Sequence, residues 1–263
     1  MANPFLPVIN SVLPEPHASL LAGILFGVKA AMPKVFYDQL ITTGLLHVIA
    51  LSGINITILT NLTAQGTLVF GRRWSSIITT GIIAGFVLFV GPSPSIVRAA
   101  LMGAISLISV YFGRKNWGLL SLFLAAGIML LINFQLLQDL SFQLSFLATL
   151  GLLLANRNYE RQKPSGALYW FKENLRLTLY AQLFTVPLIL YKFHRFSVIA
   201  PIANIATEWV IQPIMILGFI TALVGWIWLP LGQIAGWIVW VPLQYFITVI
   251  GLLARIPGAS VSF

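Results

Sequence analysis

Apolar residues run through this chain in long blocks separated by turn-forming or basic clusters. A helix needs about 20 apolar residues to cross the hydrocarbon of a bilayer, and most of the blocks approach that length. Gly44 to Leu62, Ser75 to Val90, Pro94 to Phe112, Trp117 to Phe134, Asp139 to Ala155 and Asn174 to Tyr191 each predict a spanning helix. Ser93 and Pro94 predict the N-cap and first helical position of the third. His17 to Met32 is apolar but short, and predicts an interfacial or half-spanning helix with a loop to residue 43. Ser197 to Leu229 is too long for one straight span and carries Pro201 and Pro213, which predicts a broken helix or two half-helices. Gly232 to Ala254 is the last block. Met1 to Pro16 has four prolines and no Lys or Arg, and reads as an extracytoplasmic lead-in loop. One polar segment, near residues 156–173, predicts a cytoplasmic amphipathic loop. The expected fold is therefore an all-α, polytopic transmembrane bundle of about seven to nine membrane segments, some short or broken, with its core over residues 44–263.

Composition narrows the class without changing it. Charged residues are 8% of the chain, against roughly a quarter in a soluble domain. With 59% hydrophobic residues and no cysteine, a soluble globular domain, a disordered chain and a disulfide scaffold are all excluded. The net charge of +9 is largely topology. Arg72, Arg73, Arg114, Lys115, Arg157, Arg161, Lys163, Lys172 and Arg176 follow the first, third and fifth predicted spans. Arg98, Lys192 and Arg195 follow the others. The positive-inside bias puts the loops after the odd spans in the cytoplasm and the N-terminus outside.

The polar residues left inside the blocks are candidates for function, because intramembrane ionisable groups are costly. His47, Ser52 and Asn55 line one broad face of the first span: at about 100° per residue Ser52 lies about 60° and His47 about 80° from Asn55. They either line a passage or pack as a small-residue face. Arg98 stands near a helix N-terminus, where a cation opposes the macrodipole. It needs a partner such as Asp139 or an anionic ligand, unless it snorkels to headgroups. In the fifth span Gln135, Asp139 and Gln143 form one polar stripe, and Gln138, Ser141, Ser145 and Thr149 a second. Asp139 could equally be an N-cap. Lys192 and Arg195 fall on an outer loop beside His194, and Asn204 and Glu208 stand at i, i+4 in the expected broken segment. An acid at a helix break suits a cation or proton site, so a coupled small-solute carrier is the alternative reading; an acid capping a half-helix is the plainer one. No nucleotide-binding loop, no metal-ligand cluster and no nucleophile–base spacing occurs in the sequence. Neither a cofactor nor a catalytic role is expected.

Three ordered segments stand out: His47-Val48-Ile49-Ala50-Leu51-Ser52-Gly53, then Pro94-Ser95-Ile96-Val97-Arg98-Ala99-Ala100-Leu101-Met102, then Asp139-Leu140-Ser141-Phe142-Gln143-Leu144-Ser145-Phe146. Together they resemble the ComEC family of competence proteins. Leu13-Pro14-Glu15-Pro16-His17-Ala18 and Ile256-Pro257-Gly258-Ala259 resemble the family's boundaries. The resemblance implies an inner-membrane channel that passes single-stranded DNA inward during natural transformation, assisted by a DNA receptor and a helicase or ATPase. Asn55 departs from the family, which often has a histidine there. Larger members add a soluble OB-like and a metallo-β-lactamase-like domain; these residues match neither, so nuclease activity is not implied. His47, Ser52, Asn55, Arg98, Asp139, Gln143 and Ser145 would then line the channel or contact DNA, with Lys192, Arg195, Asn204 and Glu208 as secondary candidates.

Overall fold

The computed structural model describes residues 3–28, 32–49, 53–113, 117–156, 167–193 and 195–262. The chain forms two compact units, one of residues 1–51 and 192–263 and one of residues 52–191. Both are helical. In the first unit a two-stranded pairing is the exception to helix among the described residues.

The first unit is organised on two long helices, α11 (Ala200–Ile227) and α12 (Leu229–Ala254), joined through the extended Trp228. At about 1.5 Å per residue they are roughly 42 and 39 Å long, more than the ~30 Å of a hydrocarbon core. Their far ends are tied by an antiparallel pair, β1 (Arg195–Ser197) on β2 (Ser260–Ser262). Against them lie two short helices, α1 (Phe5–Val12) and α2 (His17–Phe26). Glycines seat them: Gly218 lies on Leu21, Gly225 on Val8 and Gly236 on Val12, where a Cβ would collide. Every residue of α2 is buried, which is the pattern of a helix inside a core. Gly27 closes it in the left-handed region (φ 69°): its N–H donates to the Gly23 carbonyl at 2.9 Å and the Val28 N–H to the Ala22 carbonyl at 3.4 Å. The remaining helices are α3 (Lys34–Thr42) and α4 (Leu46–Ile49).

The second unit holds α5 (Gly53–Thr67), α6 (Arg72–Val90), α7 (Pro94–Tyr111), α8 (Gly118–Ile132), α9 (Leu140–Asn156) and α10 (Ala167–Phe193, its last two residues in the first unit). Helix α6 packs on both α5 and α7, and α8 and α9 follow on α7. Ala126, Met129 and Phe142 form an apolar core beneath α7, with Val97, Leu101 and Phe146 packed against it. Gly151 brings α9 onto the Tyr180 carbonyl of α10, the close backbone approach typical of membrane helices.

Several expectations change. The lead-in is not a loop, because Phe5–Val12 is helical with Val8 and Ile9 buried. In the block 44–62, Leu46–Ile49 form α4 in one unit and Gly53 opens α5 in the other, and residues 50–52 between them lie outside the described residues. Within residues 197–229, α11 runs unbroken from Ala200 to Ile227. Pro201 lies in its first turn, where the missing N–H has no partner to lose. Pro213 removes one bond from a 28-residue ladder, and hydrocarbon offers the freed backbone no competing water. Pro187 and Pro242 are likewise carried inside continuous helices. Among the described residues three helices, α6, α11 and α12, are long and apolar enough to cross a membrane, and α2, α7, α8 and α9 carry shorter apolar stretches. Most of the expected amphipathic loop, residues 157–166, lies outside the described residues, and 167–173 begin α10.

Candidate functional site around Arg98

The turn before α7 is Gly91-Pro92-Ser93, with Gly91 at φ 104°. The first helical bond runs from the Val97 N–H to the Ser93 carbonyl at 3.0 Å. The Ser93 hydroxyl is buried and makes no hydrogen bond with a described residue, so it does not cap α7 as expected.

Arg98 stands one turn further on and is only 5% exposed. Its Nε donates to Ser145 Oγ on α9 at 3.0 Å, and its Nη1 to Met102 Sδ at 3.3 Å, one turn along α7. Its Nη2 lies 3.2 Å from where a Cβ on Gly53 would stand, so the guanidinium occupies space that any other residue at the start of α5 would fill. One turn before Arg98, Ser95 Oγ lies 3.0 Å from Ser141 Oγ. Ser95 and Arg98 thus zip α7 to Ser141 and Ser145 of α9. Segments far apart in the sequence close on one cation. Arg98 has no carboxylate within 4 Å among the described residues, where the one ion pair joins Arg176 to Glu173 in α10.

Asp139 does not pair with Arg98. Its Oδ1 accepts the Phe142 N–H at 2.8 Å, three residues on, so it is the N-cap of α9. The physical reason is local. The α9 N-terminus offers unsatisfied N–H groups and a favourable dipole, while Arg98 is held a turn and a half further along α9 at Ser145. Gln143, on the same stripe, is also used within its own segment, donating to the Leu137 carbonyl at 2.7 Å. Its Oε1 is buried without a described partner. Asn55 is buried at 2% exposure. Ser52 lies outside the described residues.

The other candidates belong to the first unit. His47 is exposed, and its Nδ1–H donates to the Gly44 carbonyl at 3.0 Å. Lys192 is exposed. Arg195 begins β1, and His194 lies outside the described residues. Glu208 is exposed and Asn204 partly so, on an unbroken stretch of α11, so no helix-break cation site exists there. The expected cluster of His47, Lys192 and Arg195 with Arg98 and Asp139 therefore divides between the units.

Sequence reasoning missed two features. Gly53 is one, because the spacing of small residue and cation does not show that one makes room for the other. His17 was treated as a boundary residue. It is buried, with Nε2 2.8 Å from Gln244 Oε1 and its ring stacked on Trp240 at 5.5 Å. A histidine opening an otherwise apolar block was the available signal.

A family model described as "Competence protein" matches residues 24–263. The "ComE operon protein 3" of Bacillus subtilis (strain 168) is 30% identical over 200 residues, covering 73% of this chain. The chain spans about a quarter of that relative's length, since the match covers 24% of it. No solved structure matches. A matched region that takes in all three segments meeting at Arg98 shows that the chain belongs to the competence protein family.

Proposed function

We propose that this chain is the membrane core of a DNA-uptake system, through which a single strand of DNA crosses the bacterial cytoplasmic membrane in natural transformation. The observation that carries the reading is Arg98, a buried cation held by a serine and a methionine sulfur with no carboxylate within 4 Å among the described residues. Burying such a charge costs several kcal/mol (~) unless something of opposite sign offsets it. A cation without its own acid holds a positive potential, and in a low-dielectric surround that potential favours an anion. A phosphodiester backbone supplies one in every nucleotide, without regard to sequence.

Arg98 itself does not stand open to a substrate. Its three nitrogens are turned to Ser145, Met102 and Gly53, so it acts by field and by fixing α5, α7 and α9. The chain carries no nucleotide-binding loop, and passage would draw on a separate ATPase or helicase. A DNA receptor, and OB-like and metallo-β-lactamase-like domains, are the further partners this reading calls for. The membrane would be crossed several times with the N-terminus outside. The carrier reading loses its support, because it needed a helix break at Glu208 and α11 has none.

The test is import of labelled DNA by cells lacking the gene, complemented with the wild-type chain or with Arg98→Ala. Deletion is expected to abolish import, and Arg98→Ala to lower it at least about tenfold at equal protein level, the loss expected for an uncompensated anion-attracting charge. Unchanged import on deletion would overturn the proposal.

A further inference from the structure

Helix α5 differs from its neighbours in the second unit. Helices α6, α7, α8 and α9 all carry apolar stretches of membrane character, and α5 is not among them. Between Gly53 and Phe70 there is no ionisable residue, yet Asn55, Thr57, Thr60, Asn61, Thr63, Gln65 and Thr67 are polar. These side chains do two different things. Thr60, Thr63 and Thr67 return their hydroxyls to carbonyls in their own helix. Thr67 also meets Ser75 of α6 at 2.8 Å, so this side is the packed one.

The other side is a row at i, i+4, i+8, made of Thr57, Asn61 and Gln65, all exposed. One step earlier on the same row is Gly53, the residue against which the Arg98 guanidinium lies. Neither Asn61 nor Gln65 hydrogen-bonds a described residue, and the Thr57 hydroxyl bonds back to the Gly53 carbonyl. Within the apolar stretches of α6 and α8 the exposed side chains are of the opposite kind: Ile77, Ile82 and Leu88 on α6, and Leu120, Phe123, Ile128 and Leu131 on α8. Those faces suit lipid. A carboxamide turned to hydrocarbon with no partner costs several kcal/mol (~), and two in succession on one face are not tolerated there.

We infer that the Thr57–Asn61–Gln65 row of α5 is the wall of a water-filled passage, and that a phosphodiester strand moves along it. The inference rests on the DNA-uptake reading above and names the surface that would carry the strand. The row extends about 18 Å from Gly53 to Gln65 at about 1.5 Å per residue, in steps of about 6 Å. Its chemistry fits a moving polyanion. Conduction needs binding strong enough for entry and weak enough for exit. A row of arginines would hold the strand, and an apolar row would not replace its water. Carboxamides and a hydroxyl exchange hydrogen bonds with phosphate oxygens, sugars or base edges at little net gain. They do so without reading sequence. Arg98, buried behind Gly53, is a positioning residue at the head of the row and holds a positive charge there.

The chain has no cysteine, so Thr57→Cys, Asn61→Cys and Gln65→Cys each place a unique thiol. The probe is a charged, membrane-impermeant methanethiosulfonate, applied to sonicated membranes that present both faces, with Ile82→Cys and Leu131→Cys as lipid-facing controls. A thiol reacts as its thiolate, which forms in water and not in hydrocarbon, so the three row positions are expected to react on the order of tenfold or more faster than the controls. Modification of Asn61→Cys in intact cells is expected to block import of labelled DNA. Row positions as slow as the controls, with a Lys34→Cys surface control reacting, would overturn the wall. Fast labelling that leaves import unchanged would overturn the passage of DNA along this face while leaving the water-filled wall in place. Asn61→Leu is a second variant that keeps side-chain size. It is expected to lower import several-fold at unchanged protein level, and wild-type import in that variant would count against the row.

Discussion

At the residue scale the arginine is not interchangeable with another cation. Nε and Nη1 of Arg98 are spent on two acceptors in different directions, Ser145 Oγ and Met102 Sδ, and Nη2 fits against Gly53. A lysine keeps the charge but has one ammonium and no planar fork. Arg98→Lys is therefore expected to lose most DNA import, nearer to Arg98→Ala than to wild type, in a quantitative import assay. A reciprocal swap, Arg98→Asp with Asp139→Arg, is expected to fail to restore import, because the two residues do not pair. Gly53→Ala tests the space that the guanidinium needs. Its Cβ would stand 3.2 Å from Nη2 and 3.4 Å from the Ala99 Cβ. The cation must shift by a few tenths of an ångström, at a cost of about 1 kcal/mol or more. A lowered melting temperature in detergent together with reduced import is the expected outcome, and a neutral Gly53→Ala would show that the contact is slack. That Arg98 needs a partner was legible in the sequence, since a cation at a helix N-terminus inside an apolar block has no cheap explanation, and it is found buried against Ser145 and Met102. Its partner was not, because choosing Ser145 over Asp139 depends on the register between α7 and α9.

The same limit sets what could be read at the scale of elements. Positions of α6, α7, α8 and α9 were legible from apolar blocks and their bounding Gly, Pro and Asn residues, because burial along one helix leaves its period in the sequence. What prolines do inside those blocks was not. Pro213 argued for a break, and α11 runs through it. The cost of one missing N–H is set against packing on α12, α1 and α2, none of which a single block reveals. Asp139 shows the reverse case, where the local reading was the right one. It caps α9 by accepting the Phe142 N–H. Asp139→Ala is expected to destabilise the protein by about 1 kcal/mol. Asp139→Asn keeps an acceptor oxygen at the cap and is expected to stay near wild type in stability and import. Thermal unfolding of the two variants side by side checks this. An Asp139→Asn variant as damaged as Asp139→Ala would mean that the negative charge, and not the cap, is what the site uses.

At the scale of the whole molecule, charge and pairing give separate constraints on how the chain lies in the membrane. Arg72 and Arg73 open α6, and Arg73 stands over the Tyr111 ring at the end of α7, 5.5 Å from its centroid. One end of the α6–α7 hairpin is therefore basic and aromatic, as a cytoplasmic membrane boundary is. Within the first unit, β1 on β2 places residues 195–197 and 260–262 side by side, and Val198 N–H reaches the Ala259 carbonyl at 3.0 Å. Those two points share one side of any membrane that α11 and α12 cross. Trp228, at the turn between them, takes the other side. Broken into half-helices, as the sequence suggested, residues 197–229 would leave the side of the C-terminus undecided; a continuous α11 that crosses, followed by a crossing α12, would return the chain to the side on which α11 begins. Val198→Cys and Pro257→Cys are accordingly expected to react with an impermeant thiol reagent from the same side of intact cells, the outside by the loop charges. Trp228→Cys is expected to react only after the cytoplasmic face is opened. Labelling of Val198→Cys and Pro257→Cys from opposite sides would mean that α11 and α12 do not both cross, and the β1–β2 tie would then have to form differently in the membrane.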